Sequence, residues 1–427
     1  MGGMTLLYTV QPGDQLPALA SRFGVSLERL RSDNGLEVHQ PLVPGQALVV
    51  LRPTRIYRVK PGGTLWGIAR ETGIPLRRLL QNNPTLAQGH ALQPGETLAL
   101  ALEGEGREIL PLGGYAYPHM AQGILRQALP FLTDLSVFAY GFREDGTLVT
   151  PEGGGLLEEA AHFGLRAMLV LTSMDDSGNF SAQRAARLFQ EEALQDRVLM
   201  SLVDTMLEKG YQGLDVDFEY IDPGDRQAFL TFLGNARDRL HQVGLLLHVD
   251  LAPKTSADQS GLLYEAHDYN AIGAIADRVL LMTYEWGYAY GPPMAVAPLP
   301  QVTQVVDYAL TEIPPGKILL GIPNYGYDWT LPRDPGRRAV TLGNQEAVRL
   351  AAQAGAEIRF DASAQAPTFS YVQAGEQHTV WFEDARSIQA KLHLALSRNL
   401  GGAAYWNLLR PFAQNWAEAG QLLRFPV

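Results

Sequence analysis

The sequence predicts an α/β protein in which a (β/α)8 TIM barrel follows two small βααβ modules. Three observations lead to this fold: a repeat within the first hundred residues, a later series of eight apolar strand segments that alternate with helical stretches, and one long interval between the seventh and eighth of these segments. Alternating strands and helices are typical of a parallel sheet, and eight such units are the number that closes a barrel.

The repeat is visible at an offset of 49 residues, where Tyr8-Thr9-Val10-Gln11-Pro12-Gly13-Asp14 matches Tyr57-Arg58-Val59-Lys60-Pro61-Gly62-Gly63. After a one-residue insertion, Pro44-Gly45-Gln46 matches Pro94-Gly95-Glu96. Each copy begins with a strand and a Pro-Gly turn, continues through two helical segments, and ends with a second Pro-Gly turn and a strand. We place the two modules at residues 6–51 and 55–101.

The barrel is predicted to occupy residues 107–427, after the polar linker Glu103-Gly104-Glu105-Gly106. Helical patterns include Ala182–Gln195 and Asp225–Val243, and a small α+β insertion is expected at about 328–380, between strands 7 and 8. The eight predicted strands are Glu108–Tyr115, Leu135–Tyr140, Leu165–Leu171, Gly213–Phe218, Leu245–Leu251, Arg278–Thr283, Lys317–Pro323 and Gly402–Trp406.

The fourth predicted strand carries the most informative pattern, Gly213-Leu214-Asp215-Val216-Asp217-Phe218-Glu219. Successive side chains on a strand point to opposite faces, so the three acids share one face and the apolar residues share the other. Carboxylates this close repel and raise one another's pKa, so a row of three is unfavourable unless it has a function. The row therefore predicts a proton-handling site at the end of a buried strand, where barrel enzymes place their catalytic groups.

Composition excludes several classes of function. A net charge of −11 gives no basic stripe for nucleic acid, and the absence of cysteine removes disulfides and thiolate metal sites. No apolar run reaches the ~20 residues that span a membrane. The start, Met1-Gly2-Gly3-Met4-Thr5, shows no signal peptide, so a signal is either not used or lies outside this sequence. His119, His248 and His267 lack metal-binding spacing, and we expect no metal and no cofactor.

The repeated units resemble the LysM family, whose members bind glycans that contain N-acetylglucosamine. The resemblance rests on Tyr-x-Val-x-x-Gly, followed by Leu, by Ile/Leu-Ala, by Asn and by Pro-Gly. It implies a ligand groove between the first turn and the loop before the last strand. The implied glycan-binding residues are Gly13, Asp14 and Gln15 with Leu42–Pro44 in the first unit, and Gly62, Gly63 and Thr64 with Leu92–Pro94 in the second.

The remainder of the chain resembles glycoside hydrolase family 18, the chitinase-like hydrolases. Its Asp-x-Asp-x-Glu core is matched by Asp215, Asp217 and Glu219, and its sixth-strand motif by Met282-Thr283-Tyr284-Glu285. Gly321-Ile322-Pro323-Asn324-Tyr325-Gly326 is similar to its seventh strand, and Ala404-Tyr405-Trp406 to its eighth. Two LysM units before such a barrel look most like spore-cortex-lytic N-acetylglucosaminidases.

This resemblance implies substrate-assisted hydrolysis, in which the acetamido oxygen of the sugar attacks the anomeric carbon. Glu219 would be the general acid, and Asp217 would orient the acetamido group. Asp215 would share a proton with Asp217, Tyr284 would donate a hydrogen bond to the acetamido oxygen, and Trp406 would form the floor under the sugar. The resemblance also suggests further substrate-binding residues at the rim of the cleft: Glu285, Asn324, Tyr325, Tyr115 and Trp286.

Two positions depart from the family pattern. Glu285 stands where the family has Asp, so an extra methylene changes the reach of its carboxylate. Gln212 stands where another Asp often begins the acidic motif, at the position farthest from the sugar. We expect a retuned proton network and retained activity.

The sequence thus predicts a retaining hydrolase of β-1,4 bonds next to N-acetylglucosamine in peptidoglycan, anchored by its LysM units. We expect a monomer associated with the spore coat, the cortex or the cell wall. Two alternatives stay open: a chitinase acting on chitin oligomers, and a non-catalytic glycan-binding spore-coat protein that has kept a barrel. The LysM units do not separate peptidoglycan from chitin.

Overall fold

The computed structural model describes residues 6–104, 106, 108–175 and 177–425. Each repeat is a two-stranded antiparallel sheet covered by helices. The first repeat contains β1 (Leu6–Thr9), α1 (Leu16–Phe23), α2 (Leu27–Asp33) and β2 (Ala47–Val50). The second contains β3 (Pro53–Arg58), α3 (Leu65–Thr72), α4 (Leu76–Asn82), α5 (Pro84–Ala87) and β4 (Thr97–Leu102). The additional helix α5 is short and begins at a proline, a residue that suits a first helical turn.

The following strands form a closed barrel, to which a short strand, β7, is added by antiparallel pairing. They are β5 (Leu112–Ala116), β6 (Asp134–Phe142), β7 (Leu148–Val149), β8 (Arg166–Thr172), β9 (Gly213–Asp217), β10 (Leu246–Leu251), β11 (Arg278–Leu281) and β12 (Ile318–Pro323).

Strand β12 is followed by an insertion, a five-stranded antiparallel sheet with one helix packed on it. It contains β13 (Gly326–Leu331), β14 (Val340–Leu342), α13 (Asn344–Ala354), β15 (Arg359–Asp361), β16 (Ala366–Gln373) and β17 (Glu376–Trp381). The last barrel strand is β18 (Gly402–Trp406), which pairs in parallel with both β12 and β5, while β5 also pairs with β6. These pairings close the barrel.

Helices surround the barrel: α6 (Gln122–Ala128), α7 (Leu156–His162), α8 (Ala182–Gln190), α9 (Glu192–Lys209), α10 (Arg226–Gln242), α11 (Tyr269–Ile275), α12 (Leu299–Glu312), α14 (Ala385–Ser397) and α15 (Ala413–Leu422). Short 3-10 turns occur at Leu129–Phe131, Pro223–Asp225 and Pro315–Lys317. Among the described helices, none is both long and apolar enough to cross a membrane.

The predicted fold class is confirmed: a barrel with an insertion between its seventh and eighth strands follows two small βααβ modules. One predicted helix, Ala182–Gln195, is wrong in extent. It is broken at Glu191, whose extended backbone (φ −96°, ψ 93°) separates α8 from α9. The helical periodicity of the two segments is nearly continuous there, so the sequence pattern does not reveal the break.

Candidate active site at the barrel mouth

Two acids of the row, Asp215 and Asp217, lie on β9, as the alternation predicts, and Glu219 follows the strand. Leu214, Val216 and Phe218 are buried on the outer face, where Phe218 stacks on Phe232 of α10 with ring centroids 5.9 Å apart. Asp215 and Asp217 are on the other face, only 1% and 3% exposed. Burial of the apolar face against the helices fixes the register, because a slip of one residue would send the acids into the helix layer.

Glu219 comes two residues after the end of β9 and reaches a cavity of about 670 Å³ at the barrel mouth. The same cavity is lined by Asp217, Tyr284, Glu285 and Trp406. The structure therefore brings together residues that are far apart in the sequence, such as Asp217 and Trp406. Other residues of the wall are Tyr220, Asp250, Pro253, Thr255, Gln259, Leu263, Tyr264, Met282, Trp286, Tyr288, Gln301 and Gln304.

Burial dominates the electrostatics of the acids. It raises the pKa of Glu219 to about 7, with a further increase from the charge of Glu285. Burial also raises the pKa of Asp217 well above its usual range, and the charges of Glu219 and Asp215 add to the effect. A carboxyl group in a low-dielectric site holds its proton because ionisation would remove charge from water. Both groups thus hold protons to a higher pH than exposed carboxyls do.

Asp215 lies deeper in the barrel and is held by hydroxyl groups from two other strands. Its Oδ2 accepts hydrogen bonds from Tyr115 Oη on β5 (2.9 Å) and from Ser136 Oγ on β6 (3.0 Å). Burial raises the pKa of Asp215, while His248 and these hydrogen bonds lower it. Tyr115 was predicted as a substrate-binding residue, but it is 3% exposed and lies beneath the cavity, where it holds Asp215.

Glu285 is fixed at one wall of the cavity by two tyrosines. Tyr325 Oη and Tyr327 Oη both donate hydrogen bonds to Glu285 Oε1, the second at 3.0 Å. The backbone of Glu285 has φ 69°, a left-handed conformation that costs energy in a residue other than glycine. Tyr325 therefore orients Glu285 from a buried position and does not line the cavity wall.

Asn324 and Trp286 have different surroundings although both were predicted to bind substrate. Asn324 Nδ2 donates hydrogen bonds to the backbone oxygens of Asn407 and Arg410, each at 2.9 Å, so its amide joins the ends of β12 and β18. This position lies outside the cavity wall, whereas Trp286 lines it. Trp406 is half-buried and is held edge-on by Phe138 (4.9 Å) and Tyr115 (5.4 Å).

The sequence interpretation did not include Asp250, which lines the cavity from β10. A signal was present: His248 and Asp250 alternate with Leu247, Val249 and Leu251, which places both polar residues on one face of the strand. Gln301 and Gln304 of α12 and Tyr220 were also missed, because long-range packing brings them to the cavity. Among the described residues, no group of three or more His, Asp or Glu side chains has an arrangement that could hold a metal ion.

This geometry agrees with comparisons to known proteins. Residues 125–410 match the family "Glycosyl hydrolases family 18". The chain belongs to glycosyl hydrolases family 18. Residues 8–50 and 57–100 match the LysM domain, as the repeat predicts.

Two of the relatives cover nearly the whole chain. The chain is 40% identical to the cortical fragment-lytic enzyme of Bacillus anthracis over 97% of each protein. It is similar to the crystal structure of the spore cortex-lytic enzyme SleL of Bacillus megaterium QM B1551, with a TM-score of 0.83, 36% identity and 99% of each chain covered. A chitinase from Chromobacterium violaceum matches 73% of this chain and 98% of its own, with a TM-score of 0.67 and 29% identity.

The first turns of the two LysM modules are exposed, but their polar groups already have structural partners. Asp14 Oδ2 accepts hydrogen bonds from Tyr8 Oη (2.8 Å) and from the backbone nitrogen of Gln11 (2.7 Å). Thr64 Oγ1 accepts one from the backbone nitrogen of Gly67 (3.0 Å) and so caps α3. Gly13 and Gly62 have φ 88° and 74°, which explains glycine at both turns. Gln15 is exposed, and Gly63 is half-buried.

The second loops of the two modules differ in their surroundings. In the first module, Val43 is 2% exposed and packs into the core of the insertion, and the backbone nitrogen of Ile358 donates to Pro44 O (2.9 Å). Gln93 and Pro94, at the matching positions of the second module, are exposed. The second module instead contacts the barrel through α4, where Arg77 Nε donates to Pro130 O (2.8 Å). One predicted groove is therefore covered on one side, and the other is open.

Proposed function

We propose that this chain hydrolyses β-1,4 bonds next to N-acetylglucosamine in spore-cortex peptidoglycan, by retaining, substrate-assisted catalysis. The observation that carries the proposal is Glu219: a carboxyl group at the cavity wall whose pKa is raised to about 7. The names of the relatives, cortical fragment-lytic and spore cortex-lytic enzymes, support the choice of polymer.

Glu219 acts as the general acid. A carboxyl group with a pKa near 7 is protonated in a large fraction of molecules at neutral pH, yet it releases its proton readily. It protonates the oxygen of the leaving sugar, and its carboxylate then removes a proton from the water that completes hydrolysis. Burial and the neighbouring charge of Glu285 maintain this proton affinity.

Asp217 and Tyr284 position the group that attacks. The acetamido oxygen of the substrate attacks the anomeric carbon, an exception to the usual pair of enzymic carboxylates. Asp217 Oδ1 is buried and has no hydrogen-bond partner among the described residues, so it is available to the acetamido nitrogen. The hydroxyl of Tyr284 lies in the same cavity and stays protonated because burial raises its pKa well above the usual range. It donates to the acetamido oxygen.

The aromatic walls bind the sugar ring. Trp406 provides an apolar floor held in place by the edge contacts with Phe138 and Tyr115. Trp286 lines the same cavity, and so do Tyr220 and Tyr288, which are exposed. Glu285 faces this space as a hydrogen-bond acceptor for sugar hydroxyls, in an orientation fixed by Tyr325 and Tyr327.

The second LysM module holds the polymer while the barrel cleaves it. Its first turn and its second loop are both exposed, and Trp66, one residue after the start of α3, is 75% exposed. Attachment of a catalytic domain to its polymer raises the local substrate concentration. We therefore expect a protein, monomeric in solution, that associates with the spore cortex or with the cell wall.

A digestion experiment tests this proposal. The protein is incubated with spore-cortex fragments and, separately, with chitin oligomers, and new reducing ends are identified by mass spectrometry. New N-acetylglucosamine ends from the cortex support the proposal. Cleavage of chitin alone supports the second candidate, a chitinase, which the likeness to the Chromobacterium violaceum enzyme favours. No cleavage of either polymer contradicts both and leaves a glycan-binding protein.

A further inference from the structure

A cleft of about 780 Å³ lies between the two LysM modules. One wall belongs to the first module, where the chain passes from α1 into α2, and includes Val25 and Ser32. The other wall belongs to the second module and includes Ile56, Thr85 and Gln93. The cleft is as large as the cavity of about 670 Å³ at the barrel mouth, and volumes of this order accommodate ligands.

Contacts between the two modules hold the walls of the cleft in place. Arg29 Nη1 of α2 donates a hydrogen bond to the backbone oxygen of Asn82 at the end of α4 (2.6 Å). Val49 of the first module belongs to the same buried apolar cluster as Ala99 and Leu102 of the second. Because these contacts form the cleft before a ligand arrives, binding there requires little further ordering of the protein.

The charged residues of the lining do not favour an anionic ligand. Arg29 is the only lysine or arginine among the described residues that line the cleft, and its Nε already donates to Asp33 Oδ2 (2.6 Å). Glu28 and Glu96 line the same cleft, and His90 Nε2 lies 3.8 Å from Glu96 Oε2. An anionic peptide would meet two carboxylates there, and like charges that face each other weaken binding. The charges therefore indicate a ligand without charge.

The uncharged residues of the lining match a saccharide. Hydroxyl groups come from both modules, Ser32 from the first and Thr85 from the second, and Gln93 adds an amide. Apolar contacts are offered by Val25 and by Ile56, which is 61% exposed. A sugar has hydroxyl groups at the edge of its ring and C–H groups on its faces, and an acetamido group adds a methyl group beside an amide. Such a ligand makes both kinds of contact.

We propose that the cleft between the LysM modules binds a stretch of N-acetylglucosamine-containing glycan that continues from the groove of the second module. The two sites meet at Gln93, which belongs to the second loop of that module and also lines the cleft. Gly13–Gln15 and Gly62–Thr64, the first turns predicted to bind glycan, are not among the residues that line it. The first module thus contributes to binding through α2, although its own second loop is covered. The nature of the glycan rests on the proposed function.

Hydrogen–deuterium exchange locates the ligand and needs no substitution in the cleft. Full-length Glu219→Gln protein is mixed separately with a pentamer of N-acetylglucosamine, with cortex glycan strands freed of peptide, and with a peptidoglycan stem peptide alone. We expect at least one glycan to slow exchange in residues 24–32 and 83–97, and the glycan that does so identifies the polymer. Unchanged exchange there with both glycans, or a response to the stem peptide alone, overturns the inference.

A pair of substitutions tests the cleft by retention on the polymer. Ser32→Trp fills the cleft, whereas Ser21→Trp places the same side chain on an exposed position of α1 outside the lining. We expect Ser32→Trp to weaken co-sedimentation with cortex about tenfold and Ser21→Trp to leave it unchanged. Thermal unfolding establishes that both variants are folded. Equal retention of the two variants overturns the inference.

Cleavage of the cortex by the wild-type protein is measured alongside, because it tests the proposed function separately. Protection of the cleft by glycan in a protein that cleaves neither polymer refutes the proposed function alone. Cleavage of the cortex without protection of the cleft refutes this inference alone.

Discussion

The barrel mouth and the second LysM module are both glycan sites in the proposed function, but their side chains differ in burial. The barrel mouth is a cavity with buried carboxyls whose pKa values are raised. The open side of the LysM module is an exposed surface with glycine turns, Gln93, Pro94 and the indole of Trp66. In the proposed function, proton transfer is carried out by Glu219 in the barrel mouth. If the barrel mouth cleaves the polymer and the LysM surface retains it, a substitution in one region should leave the property of the other region unchanged.

The two LysM modules also differ from each other in their contacts with the rest of the protein, although their sequences match. The second loop of the first module is attached to the barrel insertion, where Val43 is buried, and to α14, where Arg386 Nη2 donates to Gly45 O (3.2 Å). The second module is attached through α4 and keeps the corresponding loop exposed. The matching second loops therefore differ in burial: the loop of the first module is covered by the insertion, and that of the second module is exposed.

The largest expected effect is on cleavage, from a substitution at Glu219 that leaves the LysM surface unchanged. Glu219→Gln is nearly isosteric and does not donate the proton, so we expect the cleavage rate to fall by roughly 10²- to 10⁴-fold. Retention on insoluble cortex, measured by co-sedimentation, should be unchanged because the LysM surface is intact. Glu152→Gln, an exposed carboxyl beside a neighbouring cavity, is the matched control. Equal rates for the two variants would remove Glu219 from the mechanism.

The next prediction compares the two modules at a pair of matching glycines. Gly45 and Gly95 have φ 82° and 89°, so alanine carries a similar backbone cost of about 1–2 kcal/mol at either position. A Cβ at Gly45 would lie 1.7 Å from Ile358 O, whereas a Cβ at Gly95 has nothing within 4 Å. We expect Gly45→Ala to be about 1–3 kcal/mol less stable than Gly95→Ala in thermal or denaturant unfolding. Equal destabilisation would show that the first module is not docked.

A smaller effect tests which surface retains the polymer. Trp66→Ala should weaken co-sedimentation with cortex about tenfold, in the range for an exposed aromatic anchor at a binding surface. Its kcat on short soluble fragments should equal that of wild type, since Trp66 is far from the cavity wall in sequence and belongs to another domain. Val372→Ala removes a similarly exposed apolar residue from the insertion and serves as the control. Unchanged retention in Trp66→Ala would place the polymer elsewhere.

The sequence predicted the barrel mouth better than the module surfaces because the alternation of acidic and apolar residues there is a local pattern. Alternation on β9 places Asp215 and Asp217 on one face whatever packs around them. The hydrogen bonds of Tyr115, Asn324 and Tyr325 join them to partners 40 or more residues away, so residue type alone did not show that their polar groups face other parts of the protein. One sequence difference indicates which loop is covered: the first module has the apolar Val43 where the second module has Gln93.

The pH dependence of kcat/KM tests the central claim, that Glu219 delivers the proton. Burial raises its pKa from the usual 4.5 to about 7, so the acid form persists to neutral pH and is lost above it. For wild type we predict that kcat/KM declines as pH rises through about 7, and that the residual activity of Glu219→Gln lacks this decline. A decline near pH 4.5, or one that persists unchanged in Glu219→Gln, would contradict the account.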